Sequence, residues 1–298
     1  MFSEKMNVTF AFIRENWKPL LKYTFYLIMP VCLIQTIFMN SFIDTYISAL
    51  KNMSGNNILG DSLYSVLVNY GIVIFCSMIG SAILSALVYT LMHTYATREN
   101  RLQDLTLDDF KETLTKNIWK YFIVMIIFTL AFVFVIFIMA LLAYLSTMTL
   151  FLTIPLLLAL FLLLLPLSLI IPVYIFERDI TLIAAFKKSW KLGITTFWGM
   201  LGLIIILGII SSVVQTVTTM PWYLTVVVTM AFTIISESTI NQSIIYKFII
   251  YLLGLIQSFG MYISVIIGLI GLAFQYFHAR EKVEGVTIES NISNFEEL

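Results

Sequence analysis

Apolar residues in this chain come in long blocks, not in alternation. Six stretches, 23–43, 63–91, 119–145, 150–176, 197–217 and 244–277, stay predominantly apolar throughout. A helix needs about 20 such residues to cross roughly 30 Å of hydrocarbon. Lipid offers the backbone no hydrogen-bond partner, so each stretch is expected to be a helix. The sixth is long enough to require a tilt, a bend near its glycines or a start outside the hydrocarbon. A further apolar stretch, 223–235, follows Pro221 and precedes a polar run at 236–242. At about 1.5 Å per residue it covers only some 20 Å. It is expected to be re-entrant or interfacial, a lid over the outer face, with a seventh span as the alternative.

Shorter periodic segments precede three of the spans. Met6, Phe10, Ile13 and Trp17 share one helical face; so do Leu107, Phe110, Leu114 and Ile118. In the third segment Leu182, Ile183, Phe186 and Trp190 do the same, with Lys187, Lys188 and Lys191 opposite. Each segment carries Trp-Lys, at Trp17-Lys18, Trp119-Lys120 and Trp190-Lys191. Thr106 with Asp109 resembles a capping box, and Asp179 can cap the third segment. Three amphipathic helices on the cytoplasmic leaflet are therefore expected. On this reading the chain is three parallel copies of an amphipathic helix plus a two-span hairpin, units 1–92, 104–176 and 179–278. The alternative is that Trp and Lys simply gather at membrane interfaces. Either way the expected fold class is all-α: a polytopic transmembrane bundle, with 1–280 one integral membrane domain and 281–298 a short acidic tail.

Composition narrows the function classes. Of 298 residues 60% are hydrophobic and 11% charged, with formal net charge zero. Soluble domains carry about 25% charged residues, so a water-soluble globule is excluded. High hydrophobicity excludes disorder, and no basic excess exists to neutralise phosphates, so no nucleic acid partner is expected. Lys and Arg nonetheless sort by side: with six spans, 15 fall on the side of the N-terminus and only Lys51 and Lys247 on the other. Basic residues concentrate on cytoplasmic loops, so both termini are expected to be cytoplasmic. The first apolar run follows about 20 mixed residues and contains Pro30, so it is expected to remain as an anchor. Cys32 and Cys76 lie in apolar runs and are expected to be buried free thiols.

Close helix contacts in lipid need small residues, which makes Ser77, Ser81 and Ser85 (beside Gly80) and Gly260, Ser264 and Gly268 the candidate packing stripes. The Leu-rich fourth span, with Pro155, Pro166 and Pro172, is expected to be peripheral, lipid-facing and kinked. No Asp, Glu, Lys, Arg or His lies centrally in any span, which argues against an ion-coupled transporter. Among the polar residues that remain, Gln35, Asn40, Asn69, Gln215, Gln257 and Ser258, the bland role is bonding across helices. Gln215 and Gln257, with Asn241 in the polar run, are candidates for lining a cavity. Phosphate loops, metal-ligand motifs and nucleophile elbows are missing, so no enzyme activity, metal or cofactor is expected. His93, His278 and the cluster Asp104, Asp108, Asp109 and Glu112 read as solvated interfacial groups. Lys187, Lys188, Lys191, Trp17, Trp119 and Trp190 are candidate contacts to lipid headgroups or a partner.

The stretch 172–209 carries Pro172, Glu177, Ala184, Ala185, Lys187, Lys188, Ser189 and Trp190, and the tail carries Arg280, Glu284 and Gly285. This pattern resembles bacterial six-span proteins similar to the membrane domain of some glycerophosphodiester phosphodiesterases. The resemblance covers about 50 residues and implies a bacterial cytoplasmic (inner) membrane protein. The catalytic domain is absent from the chain, so that activity is not implied. The expected function is a non-enzymatic interaction or scaffold subunit that organises lipids or a membrane complex from the cytoplasmic face. Its expected partners are membrane lipids and other membrane or cytoplasmic proteins. The alternative is an uncoupled transporter or lipid translocator for an apolar or zwitterionic substrate.

Overall fold

The computed structural model describes residues 2–52, 60–145, 150–177, 179–235 and 243–285. Among them every regular element is helical: α1 (Phe2–Asn52), α2 (Gly60–Thr97), α3 (Leu107–Leu145), α4 (Leu150–Leu164), a 3-10 turn (Leu165–Leu169), α5 (Ile170–Phe176), α6 (Leu182–Thr195), α7 (Phe197–Ile235) and α8 (Ile244–Glu284). Six of the helical segments are long and apolar enough to cross a membrane, as the block pattern requires. The protein is an all-helical membrane protein.

Two expectations about the spans are corrected. Residues 223–235 form no separate lid: they continue α7 through Pro221 as one helix of 39 residues. In an unbroken helix apolar length simply adds, and one proline is tolerated where neighbouring groups take up the freed carbonyl. The fourth span is also not peripheral along its second half. Pro166 breaks it into the 3-10 turn, and Leu165, Pro166, Leu167, Leu169, Ile170, Pro172, Val173 and Ile175 are buried. The helix that exposes most is α3, where Leu130, Phe134 and Phe137 are each more than 60% exposed.

The chain divides into two compact units, the first comprising Met1–Trp17, Ser85–Gly208 and Ile267–Leu298, the second Lys18–Leu84 and Ile209–Ile266. In the first, Leu165, Leu169, Val173, Ala185, Leu192, Met200, Tyr276 and Ala279 form the core. An aromatic column joins three helices beside it: Tyr89 lies 5.8 Å from Phe176, which stacks at 5.8 Å and 9° on Tyr276. Buried Gln275 accepts from Lys5 Nζ at 2.7 Å and donates to Thr196 Oγ1 at 3.0 Å.

The second unit is stitched by polar side chains instead. Gln35 Oε1 accepts from Tyr262 Oη at 2.9 Å, while its amide nitrogen donates to Ser77 Oγ at 3.1 Å. Thr36 and Ser258 share a hydrogen bond at 3.3 Å, and Asn40 Oδ1 accepts from the Trp222 indole at 3.2 Å. In hydrocarbon such bonds lock helix register, because an unmatched polar group has no water to turn to. Cys32 and Cys76 are buried free thiols.

The three Trp-Lys segments are built differently. The first is set off within α1 by a break at Asn16 (φ −115°, ψ 17°), three residues before Pro19, whose missing N–H leaves the Glu15 carbonyl without its helical donor. The second runs straight into its span as the start of α3. The third is the separate helix α6, ending at Thr196 (φ −115°, ψ 19°), six residues after Trp190. Of the expected capping box, the structure shows the half in which the Thr106 N–H donates to the Asp109 carboxylate at 2.8 Å. Asp179, however, does not cap α6. It sits in the left-handed region at φ 56°, and Thr181 takes the capping role by accepting from the Ala184 N–H.

Candidate lipid-binding groove

The site begins with a proline. Because Pro166 tightens the fourth span into a 3-10 turn, the Ile170 N–H bonds to Leu167 instead of the Pro166 carbonyl. That carbonyl accepts from the buried Ser189 hydroxyl at 3.0 Å. One turn on, Gly193 meets the turn so closely that a Cβ would lie 2.5 Å from Pro166 Cα. Ser189 and Gly193 therefore form a small-residue pair, four apart, on which α6 docks against the proline turn. The docked face is Ala185, Ser189, Leu192 and Gly193, which leaves Ile183 and Phe186 exposed.

Those exposed residues close one wall of a groove of about 1150 Å³ within the first unit. Its other walls come from α3, with Met125, Phe128 and Phe132, and from the fourth span, with Leu163, Leu164 and Leu167. The volume exceeds the roughly 300–1,000 Å³ of ordinary small-molecule pockets. Polar groups on the lining are few. The Thr129 hydroxyl is already bonded to the Met125 carbonyl at 2.8 Å, so the remaining polar side chains are Lys187 and Trp190, both on α6. An apolar trough with a cation and an indole N–H at one end suits an amphiphile with an anionic head.

The neighbouring charges are balanced internally. Lys188 Nζ lies 2.6 Å from both a Glu177 and a Glu284 oxygen, and Arg280 pairs with Glu284 at 3.2 Å. Tyr276 adds a hydrogen bond to Glu177 at 3.0 Å. Two cations thus meet two carboxylates, and the cluster has no net charge to offer a ligand. Lys187 and Lys191 are exposed and, among the described residues, enter no ion pair. Lys120 anchors α3 to α5 by donating to the Tyr174 carbonyl at 2.8 Å, with its ammonium 4.9 Å from the Tyr174 ring centroid.

The candidate residues scatter by role. Trp190 and Lys187 line the groove, whereas Trp17 and Trp119 are exposed on other segments. Comparison with known proteins returns no relative. No family model, no curated protein and no solved structure matches the chain. Of the packing stripes, Ser77 takes the Gln35 bond, Ser81 bonds back to the Ser77 carbonyl at 2.7 Å, and buried Ser85 reaches Tyr121. Gly80 abuts the Tyr262 ring and Gly260 abuts Thr218, but a Cβ added at Gly268 would meet no neighbouring element within 4 Å. Ser264 is buried and bonds to the Met261 carbonyl.

Asn241 lies outside the described residues. Gln215 is exposed, and Gln257 accepts from Ser258 at 3.4 Å; neither lines either cavity. The polar cavity of the second unit forms instead around Asn40, Asp44, Tyr246 and Lys247. Sequence reasoning missed the Ser189–Gly193 pair, whose signal was a four-residue small-residue spacing downstream of a proline in a span.

Proposed function

We propose that the protein is a non-enzymatic integral protein of the bacterial inner membrane that holds and organises anionic lipid from the cytoplasmic face. The observation that carries this reading is the groove's polarity: apolar along its length, cationic and indole-bearing at the α6 end. An acyl chain fills the trough while the headgroup phosphate meets Lys187, with Lys191 one turn further on and Trp190 at the interface. The 15-to-2 distribution of Lys and Arg supports a cytoplasmic position for α6 and both termini. The likeness of 172–209 to the six-span bacterial proteins supports the same location. On this reading the exposed α3 and the acidic tail are where protein partners of a scaffold would bind.

Each lysine near a membrane surface contributes about 1 kcal/mol toward anionic lipid, so losing Lys187 and Lys191 weakens retention by roughly tenfold or more. The test is lipid retention by the purified full chain, measured by native mass spectrometry with phosphatidylglycerol and phosphatidylcholine added in equal amounts. Lys187→Gln/Lys191→Gln is expected to abolish the preference for phosphatidylglycerol. Ala131→Trp, which fills the groove, is expected to remove both lipids. Equal retention of the two lipids by the unaltered protein overturns the proposal.

A second reading, uncoupled translocation of a zwitterionic or apolar substrate, is favoured by the polar cavity in the second unit. Transfer of labelled lipid between leaflets of reconstituted vesicles separates it from a static organiser.

A further inference from the structure

The second unit contains a cavity of about 380 Å³ between α1, α7 and α8. Ile37, Ile43, Val226 and Ile250 supply apolar wall; Asp44 from α1 and Lys247 from α8 supply one charge of each sign. Both charged residues are exposed, and among the described residues neither enters an ion pair. They therefore face one space without neutralising each other at contact distance. Asn40 has its carbonyl oxygen committed to Trp222, which leaves its amide nitrogen as a donor at the same cavity. Thr229 and Tyr246 join their hydroxyls across the α7–α8 side.

A cavity of this make-up discriminates by charge. An anion that approaches Lys247 is opposed by Asp44, and a cation that approaches Asp44 is opposed by Lys247. Only a ligand carrying both signs neutralises the two residues together. A hydrogen-bonding ammonium suits a carboxylate better than a quaternary one does, because charge-assisted hydrogen bonds are the strong ones. We propose that this cavity is a binding site for a zwitterion of the ammonium–phosphate or ammonium–carboxylate type, with its ammonium at Asp44 and its anionic group at Lys247. A phosphatidylethanolamine headgroup and a free zwitterionic metabolite share that chemistry.

The site is independent of the α6 groove, so it is tested in the Lys187→Gln/Lys191→Gln background, where failure of the anionic-lipid reading cannot be mistaken for failure here. Full-length protein in detergent is titrated with phosphatidylethanolamine, phosphatidylcholine, phosphatidylglycerol and soluble O-phosphoethanolamine, and bound ligand is counted by native mass spectrometry. Phosphatidylethanolamine is expected to bind at least about tenfold more tightly than phosphatidylcholine or phosphatidylglycerol. Asp44→Asn and Lys247→Gln should each erase that preference. Ile250→Trp, which fills the cavity and keeps both charges, should do the same. Binding of soluble O-phosphoethanolamine with the same sensitivity to these variants assigns the site to a free zwitterion. The proposal is overturned if no zwitterion is preferred, or if a preference survives all three variants while they remain monodisperse on gel filtration.

Discussion

A single absent side chain sets several of the contacts described above, and three glycines separate the cases. Gly193 faces backbone, at Pro166, which cannot swing aside. Gly80 faces the Tyr262 ring, which is buried and tied to Gln35. Gly268 faces open space. Overpacking a fitted site costs about 1–3 kcal/mol, whereas Gly to Ala in an unobstructed helix gains up to about 1 kcal/mol. Gly193→Ala and Gly80→Ala are therefore expected to lower the unfolding temperature in detergent, and Gly268→Ala to leave it unchanged or raise it. A fall with Gly268→Ala as large as with Gly193→Ala would show that the proline-turn contact is not what limits stability. Sequence alone marked Gly80 and Gly268 as members of similar stripes; which one meets a neighbour depends on helix rotation, and that is a tertiary property.

At the scale of elements, α6 is held by its buried Ala185 and Leu192 and by two polar devices, the Ser189–Pro166 contact and the Lys188 ion cluster. The Lys188 and Glu177 side chains are 23% and 13% exposed, between an exposed pair worth 0–1 kcal/mol and a buried one worth 3–5 to break. Lys188→Met leaves Glu177 and Glu284 facing each other and is expected to cost about 1–3 kcal/mol. Adding Glu177→Gln should recover part of that loss, a positive coupling read by a double-mutant cycle; strict additivity would mean the cluster is screened by solvent. The spans were legible because apolar length is a local property of the chain. The docking face of α6 was not, since the residues that bury, Ala185, Ser189 and Gly193, are the small ones that a hydrophobic-face reading passes over. For α7 the apolar run was visible but its continuity through Pro221 was not, because sequence weighs a proline as a stop. Spin labels placed at Val213 and Phe232, after Cys32→Ala and Cys76→Ala, should be about 29 Å apart if α7 is straight. A distance near half that value would restore the re-entrant segment.

For the molecule as a whole, composition was decisive for environment and mute about chemistry. Sparse charge demanded a membrane, and six long apolar helices answer that demand. Position of the charges says more than their sum: the same neutral total is expected as 15 basic groups on one face and two on the other. A reporter active only outside the cytoplasm should accordingly stay silent when fused to either terminus; activity at one end would reverse the lipid face assigned to α6.

The polar stitching of the second unit also has a consequence in time. Gln35, Thr36 and Asn40 are made early, yet their partners Tyr262, Ser258 and Trp222 follow 227, 222 and 182 residues later. At ribosomal speeds of about 5–20 residues per second, the last of these partners arrives roughly ten to forty-five seconds after α1 has emerged. Until α7 and α8 are made, α1 sits in the bilayer with a polar stripe that α2 answers only at Gln35, through Ser77. A ribosome halted before α8 should thus yield a nascent chain that insertion chaperones retain and membrane proteases clear, while the completed chain escapes both.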